Sequence, residues 1–113
     1  MVICITGLKI KSIWVILRFY AFSIPCVMQA KKTPGNLICK TTKVNGVYHT
    51  MTVWKNKTSM KKFSRTGIHK KAMKAFSTIS KEAGAISYES NTIPTWKEAL
   101  QLWNSKVEYY KFN

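Results

Sequence analysis

Two histidines are the side chains of this sequence best suited to proton transfer. An imidazole titrates near neutral pH, so it can accept a proton from a phenolic substrate or ligate iron. His69 lies beside an apolar stripe of helical spacing and is expected to lean inward, which makes it the candidate catalytic residue. His49 lies in a strand-like run with Met51 and Val53 and is a candidate ligand-binding residue. Both positions are also typical of core histidines that bond a main-chain carbonyl or pair across a sheet, which is the commoner role.

Three apolar side chains are further candidates for a ligand site: Trp54, Phe63 and Met73. Aromatic and methionine side chains at strand or helix spacing usually pack in a core. If these three line a pocket instead, they form apolar walls, and the expected ligand is a small hydrophobic molecule.

The sequence lacks the residue sets of several other chemistries. It contains no Gly-rich phosphate loop and no Ser-His-Asp arrangement. Paired acid–base catalysis has no candidate, because the four carboxylates are on expected surface or tail positions: Glu82, Glu89, Glu98 and Glu108. No metal site is predicted, and reduced cysteines of a cytoplasmic protein are expected, because metal-ligand spacing is missing from Cys4, Cys26 and Cys39.

The strong positive charge attracts anions without indicating nucleic acid. The 113 residues carry a formal net charge of +15. Lys outnumbers Arg by 17 to 2, and the lysines are dispersed from Lys9 to Lys111. A nucleic-acid reader is expected to use Arg forks. Neither nucleic acid nor a membrane is therefore the expected partner, and binding to nucleic acid or to an anionic membrane surface stays an alternative.

The apolar stretch from Ile13 to Ala30 has three interpretations. Its length reaches the lower limit for a membrane span, but Arg18 and Pro25 count against spanning. The second interpretation is a signal peptide cleaved after Ala30. The favoured one is a helix that begins after Ser12 as N-cap and is buried between a sheet and a partner, because Val2 to Lys11 already alternates as a strand.

A β-hairpin is the clearest local prediction. Leu37 to Val44 and Val47 to Trp54 are strand-like runs joined by Asn45-Gly46, a dipeptide that readily takes the positive φ angles of a type I′ turn. Neither face of the hairpin is freely polar, and a lone domain has no second sheet to cover one of them, so a homodimer with facing sheets is expected. The turn predicts four pairs on one face: Val44 with Val47, Thr42 with His49, Lys40 with Met51 and Ile38 with Val53.

The predicted order of elements is β-α-β-β-α-β with a C-terminal extension. The fold class is therefore an α+β, ferredoxin-like antiparallel sheet in a single domain, residues 1–113, with a core at 2–90 and an appended helix and tail at 94–113. After the hairpin we expect a helix that is capped by Asn56, interrupted at Thr66-Gly67 and continued from Ile68 to Ser80. A strand from Ala85 to Ser90 follows, and then a helix that begins at a Thr95/Glu98 capping box. The tail from Val107 to Phe112 is expected to form a strand that crosses to the partner.

Motifs along nearly the whole chain form one pattern. They are Leu8 to Ser12, Gln29-Ala30, Pro34-Gly35, Met51-Thr52-Val53-Trp54-Lys55-Asn56, Met60, Phe63, Gly67-Ile68-His69, Ala72-Met73, Pro94-Thr95-Trp96 and Glu98-Ala99. This pattern resembles the antibiotic-biosynthesis-monooxygenase-like superfamily of dimeric α+β barrels, and within it small uncharacterised proteins distantly similar to spheroidene monooxygenase.

The resemblance implies a homodimer with a pocket between each sheet and its helices. The superfamily includes cofactor-free quinone-forming oxygenases, haem-degrading enzymes and proteins with no shown activity. Its haem-degrading branch has a catalytic Trp and an iron-ligating His where this chain has Phe63 and Met73, so haem degradation by that mechanism is not expected, although His69 could still hold haem in the same cavity. The leading hypothesis is a monooxygenase-like domain that binds a small hydrophobic molecule. A non-catalytic ligand-binding or stress-response module is the alternative.

Overall fold

The computed structural model describes residues 1–112, which form one five-stranded antiparallel sheet with helices on both faces. The order across the sheet is β2-β3-β1-β4-β5, and the first four strands with their helices confirm the predicted ferredoxin-like α+β fold. The strands are β1 (Val2–Ile10), β2 (Asn36–Val44), β3 (Val47–Trp54), β4 (Ser80–Glu89) and β5 (Tyr110–Lys111). The helices are α1 (Ile16–Lys32), α2 (Lys57–Ser64), α3 (Gly67–Ile79) and α4 (Trp96–Lys106).

The β2–β3 hairpin turns as predicted. Asn45 and Gly46 have φ angles of 51° and 78°, the left-handed values that a type I′ turn requires. All four predicted pairs, from Val44–Val47 to Ile38–Val53, are confirmed. Because side chains alternate along a strand, this register decides which residues of β3 lie on each side of the sheet.

The two sides of the sheet have different covers. On the helical-layer face, α1, α2 and α3 pack over residues such as Val2 and Trp54. On the α4 face, Ile3, Met51 and Val53 are fully buried beneath α4. The capping box of Thr95 and Glu98 that was predicted for α4 is confirmed.

The α4 face is covered by a helix of the same chain, which corrects one prediction from the sequence. A second subunit's sheet was expected there, but the chain's own α4 buries the centre of this face through Ala99 and Trp103. The tail was expected to cross to a partner. Instead Tyr110 and Lys111 pair with Ala83 and Glu82 of the same chain's β4. The homodimer itself stays a prediction from the resemblance.

The first helix differs from its prediction at its start. Ser12 makes no side-chain capping bond, and a 3-10 turn, Ile13–Val15, precedes α1. The helix ends at Lys32 before Gly35, as predicted. Within α1, Phe19 and Ala30 are buried and the opposite side is exposed in the single chain, so burial of that side by a partner stays a prediction. Among residues 1–112, the helical stretch that contains α1 has the length and apolar composition of a membrane span, and most of it lies outside the core.

Candidate functional site

A cleft of about 220 Å³ opens on the α4 face, between the end of α4 and the hairpin turn. Its floor includes His49, whose side is set by the hairpin register. This volume is below the ~300–1,000 Å³ of sites for drug-sized ligands, so the cleft suits a molecule of one or two rings. The lining residues are Lys9, Val44, Asn45, Val47, His49, Leu100, Trp103, Asn104 and Tyr109.

His49 is held in one tautomer by the main chain. The residue is 4% exposed, and its Nδ1–H donates to the carbonyl oxygen of Thr6 over 3.1 Å. A carbonyl can only accept, so Nε2 carries the lone pair and is the nitrogen available to a ligand. Burial lowers the pKa of His49, and the bond to Thr6 partly opposes this. The ring is therefore a neutral proton acceptor at neutral pH.

A glycine depression brings Trp103 onto the sheet beside His49. Gly7 of β1 pairs with Gly84 of β4 and with His49 of β3, so two positions without side chains are adjacent. A Cβ on Gly7 would be 2.6 Å from Cζ2 of Trp103, and one on Gly84 would be 3.2 Å from its Cη2. The indole consequently meets the His49 ring edge-on, with 5.0 Å between the ring centroids.

Polar groups surround the mouth of the cleft. Trp103 Nε1–H donates to the hydroxyl of Tyr109 over 3.2 Å. The ammonium of Lys9 lies 4.6 Å from the centroid of the Tyr109 ring and 3.1 Å from a carboxylate oxygen of Glu82. The cleft thus combines apolar walls with an imidazole, a phenol and a cation, which can hold an aromatic molecule that carries a hydroxyl or acidic group.

The predicted catalytic residue, His69, lies on the helical-layer face in a packed aromatic series. Trp54 stacks on Phe63 with 5.3 Å between ring centroids, and Phe63 meets His69 edge-on at 5.1 Å. Burial lowers the pKa of His69, opposed by a bond to the main chain of Ser64. His69 lines neither the 220 Å³ cleft nor the second described cavity, a 290 Å³ opening near Met1 at the end of the sheet.

The structure separates the five predicted site residues into two groups. Trp54, Phe63 and His69 come together, whereas His49 lies on the other face of the sheet, so the five cannot line one cavity within this chain. Met73 was expected to face inward, but its side chain is 48% exposed on α3. The assignment of roles to these residues stays a prediction.

Sequence reasoning missed the partners of His49. The helical spacing of Trp96, Ala99, Leu100 and Trp103 predicted an aromatic face, but nothing local indicated where that face would dock. Gly7 was the available signal, since a glycine inside a strand often marks a close approach of another group.

The three cysteines are half-buried free thiols in residues 1–112. Burial raises the pKa of Cys4, Cys26 and Cys39, so each is a protonated thiol at neutral pH. Within residues 1–112, His, Cys, Asp and Glu side chains form no group of three that could hold a metal ion. Haem ligation by His69 would require Phe63 to move, because Phe63 packs against both Trp54 and the His69 ring.

Comparison with solved structures defines the class of the fold. A protein from Deinococcus radiodurans, described as a candidate antibiotic biosynthesis monooxygenase, superposes with a TM-score of 0.74 at 15% identity, covering 84% of this chain and 97% of its own. A Nitrosomonas europaea protein of the same description gives 0.73 at 12% identity, with coverages of 81% and 100%. SnoaB from Streptomyces nogalater, a cofactor-independent oxygenase, gives 0.68 at 11% identity, with coverages of 83% and 97%.

The chain therefore has the fold of the antibiotic-biosynthesis-monooxygenase-like superfamily, as the sequence resemblance predicted. At these identities the likeness concerns the fold, and function has to be argued from the site. No protein-family model and no curated protein matches the sequence.

Proposed function

We propose that this chain is a monooxygenase-like domain that binds a small aromatic molecule in the cleft beside His49. The observation that carries the proposal is the neutral imidazole of His49, oriented by Thr6, in a cleft walled by Trp103. The superfamily fold supports the oxygenase class, and the cleft supports the choice of a small ring system over a larger ligand.

The side chains of the cleft favour a phenol. Trp103, Leu100 and Val47 supply apolar contact for an aromatic ring. Nε2 of His49 accepts the phenolic proton, and the imidazolium that forms stabilises the phenolate beside it. A phenolate is electron-rich and gives up electrons to O2 more readily than a phenol.

The reaction proposed for the test balances without a further reductant. 1-Naphthol and O2 give 1,4-naphthoquinone and water, with one oxygen atom of O2 in each product. The phenol ring is oxidised and O2 is reduced. His49 takes the phenolic proton and passes it to the departing water, so it is regenerated.

The experiment is a titration with 1-naphthol, followed by its fluorescence, in the wild type, His49→Gln and His69→Gln. We expect saturable binding, weakened about 3–10-fold in His49→Gln because one hydrogen bond is lost, and unchanged in His69→Gln. Under O2 labelled with oxygen-18, naphthoquinone should carry one labelled atom, and His49→Gln should abolish its formation.

Three outcomes would contradict parts of this proposal. Absence of saturable 1-naphthol binding removes the cleft as a ligand site. Binding without quinone formation favours the non-catalytic ligand-binding module. If His69→Gln abolishes turnover and His49→Gln does not, the reaction takes place on the helical-layer face, as the sequence predicted.

We also propose that the domain is a homodimer, as the resemblance implies. Two apolar side chains of the edge strand β2 are partly exposed, Leu37 by 48% and Val44 by 37%. Their exposure supports an interface at that edge of the sheet. Sedimentation velocity should give a dimer for the wild type. A monomer at all micromolar concentrations would contradict this part.

A further inference from the structure

We propose that the exposed side of the first helix docks the protein onto the surface of an anionic lipid bilayer. The docking face, as we name it, consists of apolar side chains on the 3-10 turn and α1: Ile13, Trp14, Leu17, Tyr20, Ile24 and Met28. The proposal concerns a different side of the molecule from the His49 cleft and is independent of the proposed function.

The docking face is apolar and most of it is uncovered within residues 1–112, although Tyr20 is 43% exposed and its ring meets that of Tyr48 edge-on. Trp14 is 88%, Leu17 80% and Ile13 73% exposed. From Trp14 to Met28 the spacing is three or four residues, which places these five on one side of the helix, and Ile13 lies beside Trp14 in the preceding 3-10 turn. A contiguous exposed face of six large apolar side chains marks an interaction site.

The opposite side of α1 holds the helix parallel to the protein surface. Phe19 packs in the core, with its ring centroid 4.6 Å from that of Tyr48 and 5.7 Å from that of Phe76. Arg18 also bonds the hydroxyl of Thr78 on α3. Spanning a bilayer would remove Phe19 from this core, whereas lying in the interfacial plane leaves it in place.

The charges around the docking face match an anionic surface. Lys11 precedes the helix, and Lys31 and Lys32 lie in its last turn. All four acidic residues fall at Glu82 or later in the chain, so α1, α2 and α3 contain no carboxylate. The neighbouring α3, which packs against α1, exposes Lys70, Lys71 and Lys74.

Two other occupants fit these features less well. A second copy docked by the same face would bring two sets of lysines together without a carboxylate on the helices to pair with them. Nucleic acid would use the lysines but gain nothing from an exposed stripe of Ile, Leu and Met. A lipid surface uses both, since acyl chains take the apolar side chains, anionic headgroups take the lysines, and Trp and Tyr favour the boundary between them.

The test is flotation of the full chain with two kinds of vesicle, one of phosphatidylcholine and one of equal parts phosphatidylcholine and phosphatidylserine. We expect binding to the phosphatidylserine vesicles that weakens as salt is added, and little binding to phosphatidylcholine alone. Trp14→Ser and Leu17→Ser should each lower the affinity about tenfold or more, because each removes a large apolar side chain from the lipid contact.

The matched control is Ile93→Ser, which removes a partly exposed isoleucine between β4 and α4, outside both the docking face and the proposed dimer edge, and should leave vesicle binding unchanged. Circular dichroism and thermal unfolding show whether each variant is folded. The proposal is overturned if folded Trp14→Ser and Leu17→Ser bind like the wild type, or if both vesicles bind equally. It is also overturned if Trp14→Ser and Leu17→Ser convert a dimer into a monomer and leave vesicle binding unchanged. Binding of the wild type to a DNA duplex but not to the vesicles would overturn it as well.

Discussion

The two faces of the sheet differ in how completely helices cover them. Three helices cover the helical-layer face, and its aromatic series from Trp54 to His69 is packed. A single helix covers the α4 face, where His49 borders a cleft. Five strands span roughly 20 Å, while one helix covers a strip only about 10 Å wide. A cleft at the margin of α4 is therefore a consequence of the number of covering helices.

The largest expected effect tests whether α4 packs against the sheet. Trp103→Ala and Trp54→Ala each remove a side chain that is 1% exposed, on opposite faces. Each should lower the free energy of unfolding by about 3–5 kcal/mol, measured by urea denaturation. Trp103→Ala alone should also weaken 1-naphthol binding. A loss below about 1 kcal/mol for Trp103→Ala would show that α4 does not pack against the sheet as described.

An intermediate effect tests the depression under α4. Gly7→Ala would place a methyl group 2.6 Å from the Trp103 ring, and should lower the free energy of unfolding by about 1–3 kcal/mol through overpacking. The control is Gly67→Ala at the start of α3, where a Cβ meets nothing within 4 Å, so the change should be neutral or stabilise by up to about 1 kcal/mol. Equal effects of the two variants would contradict the close contact between Trp103 and β1.

The smallest effect concerns pH. Burial lowers the pKa of both His49 and His69 below the ordinary 6.5, so the unfolded chain binds more protons just below that pH. The free energy of unfolding should therefore fall as the pH drops through and below 6.5, and His49→Gln or His69→Gln should each weaken that dependence.

An NMR titration of the two imidazoles sharpens the same comparison between the faces. Saturating 1-naphthol should shift the titration of His49 and leave that of His69 unchanged. A shift confined to His69 would reverse the assignment of the ligand to the α4 face.

Local chemistry made much of the fold predictable. Asn45-Gly46 indicated the hairpin and its register, and Thr95 with Glu98 indicated the start of α4. These predictions succeeded because turn geometry and helix capping depend on a few adjacent residues. The superfamily fold was also accessible, because its motifs extend along nearly the whole chain.

The candidate site was less predictable, because it depends on contacts between distant segments. The sequence by itself determined that His49 would share a strand face with Met51 and Val53, through strict side-chain alternation. Only the tertiary structure decided that Trp103 would dock beside His49, since a helix with one apolar face can pack wherever a complementary surface exists. The tertiary structure likewise left the outer side of α1 exposed, because periodicity shows which residues share a face but not what covers them.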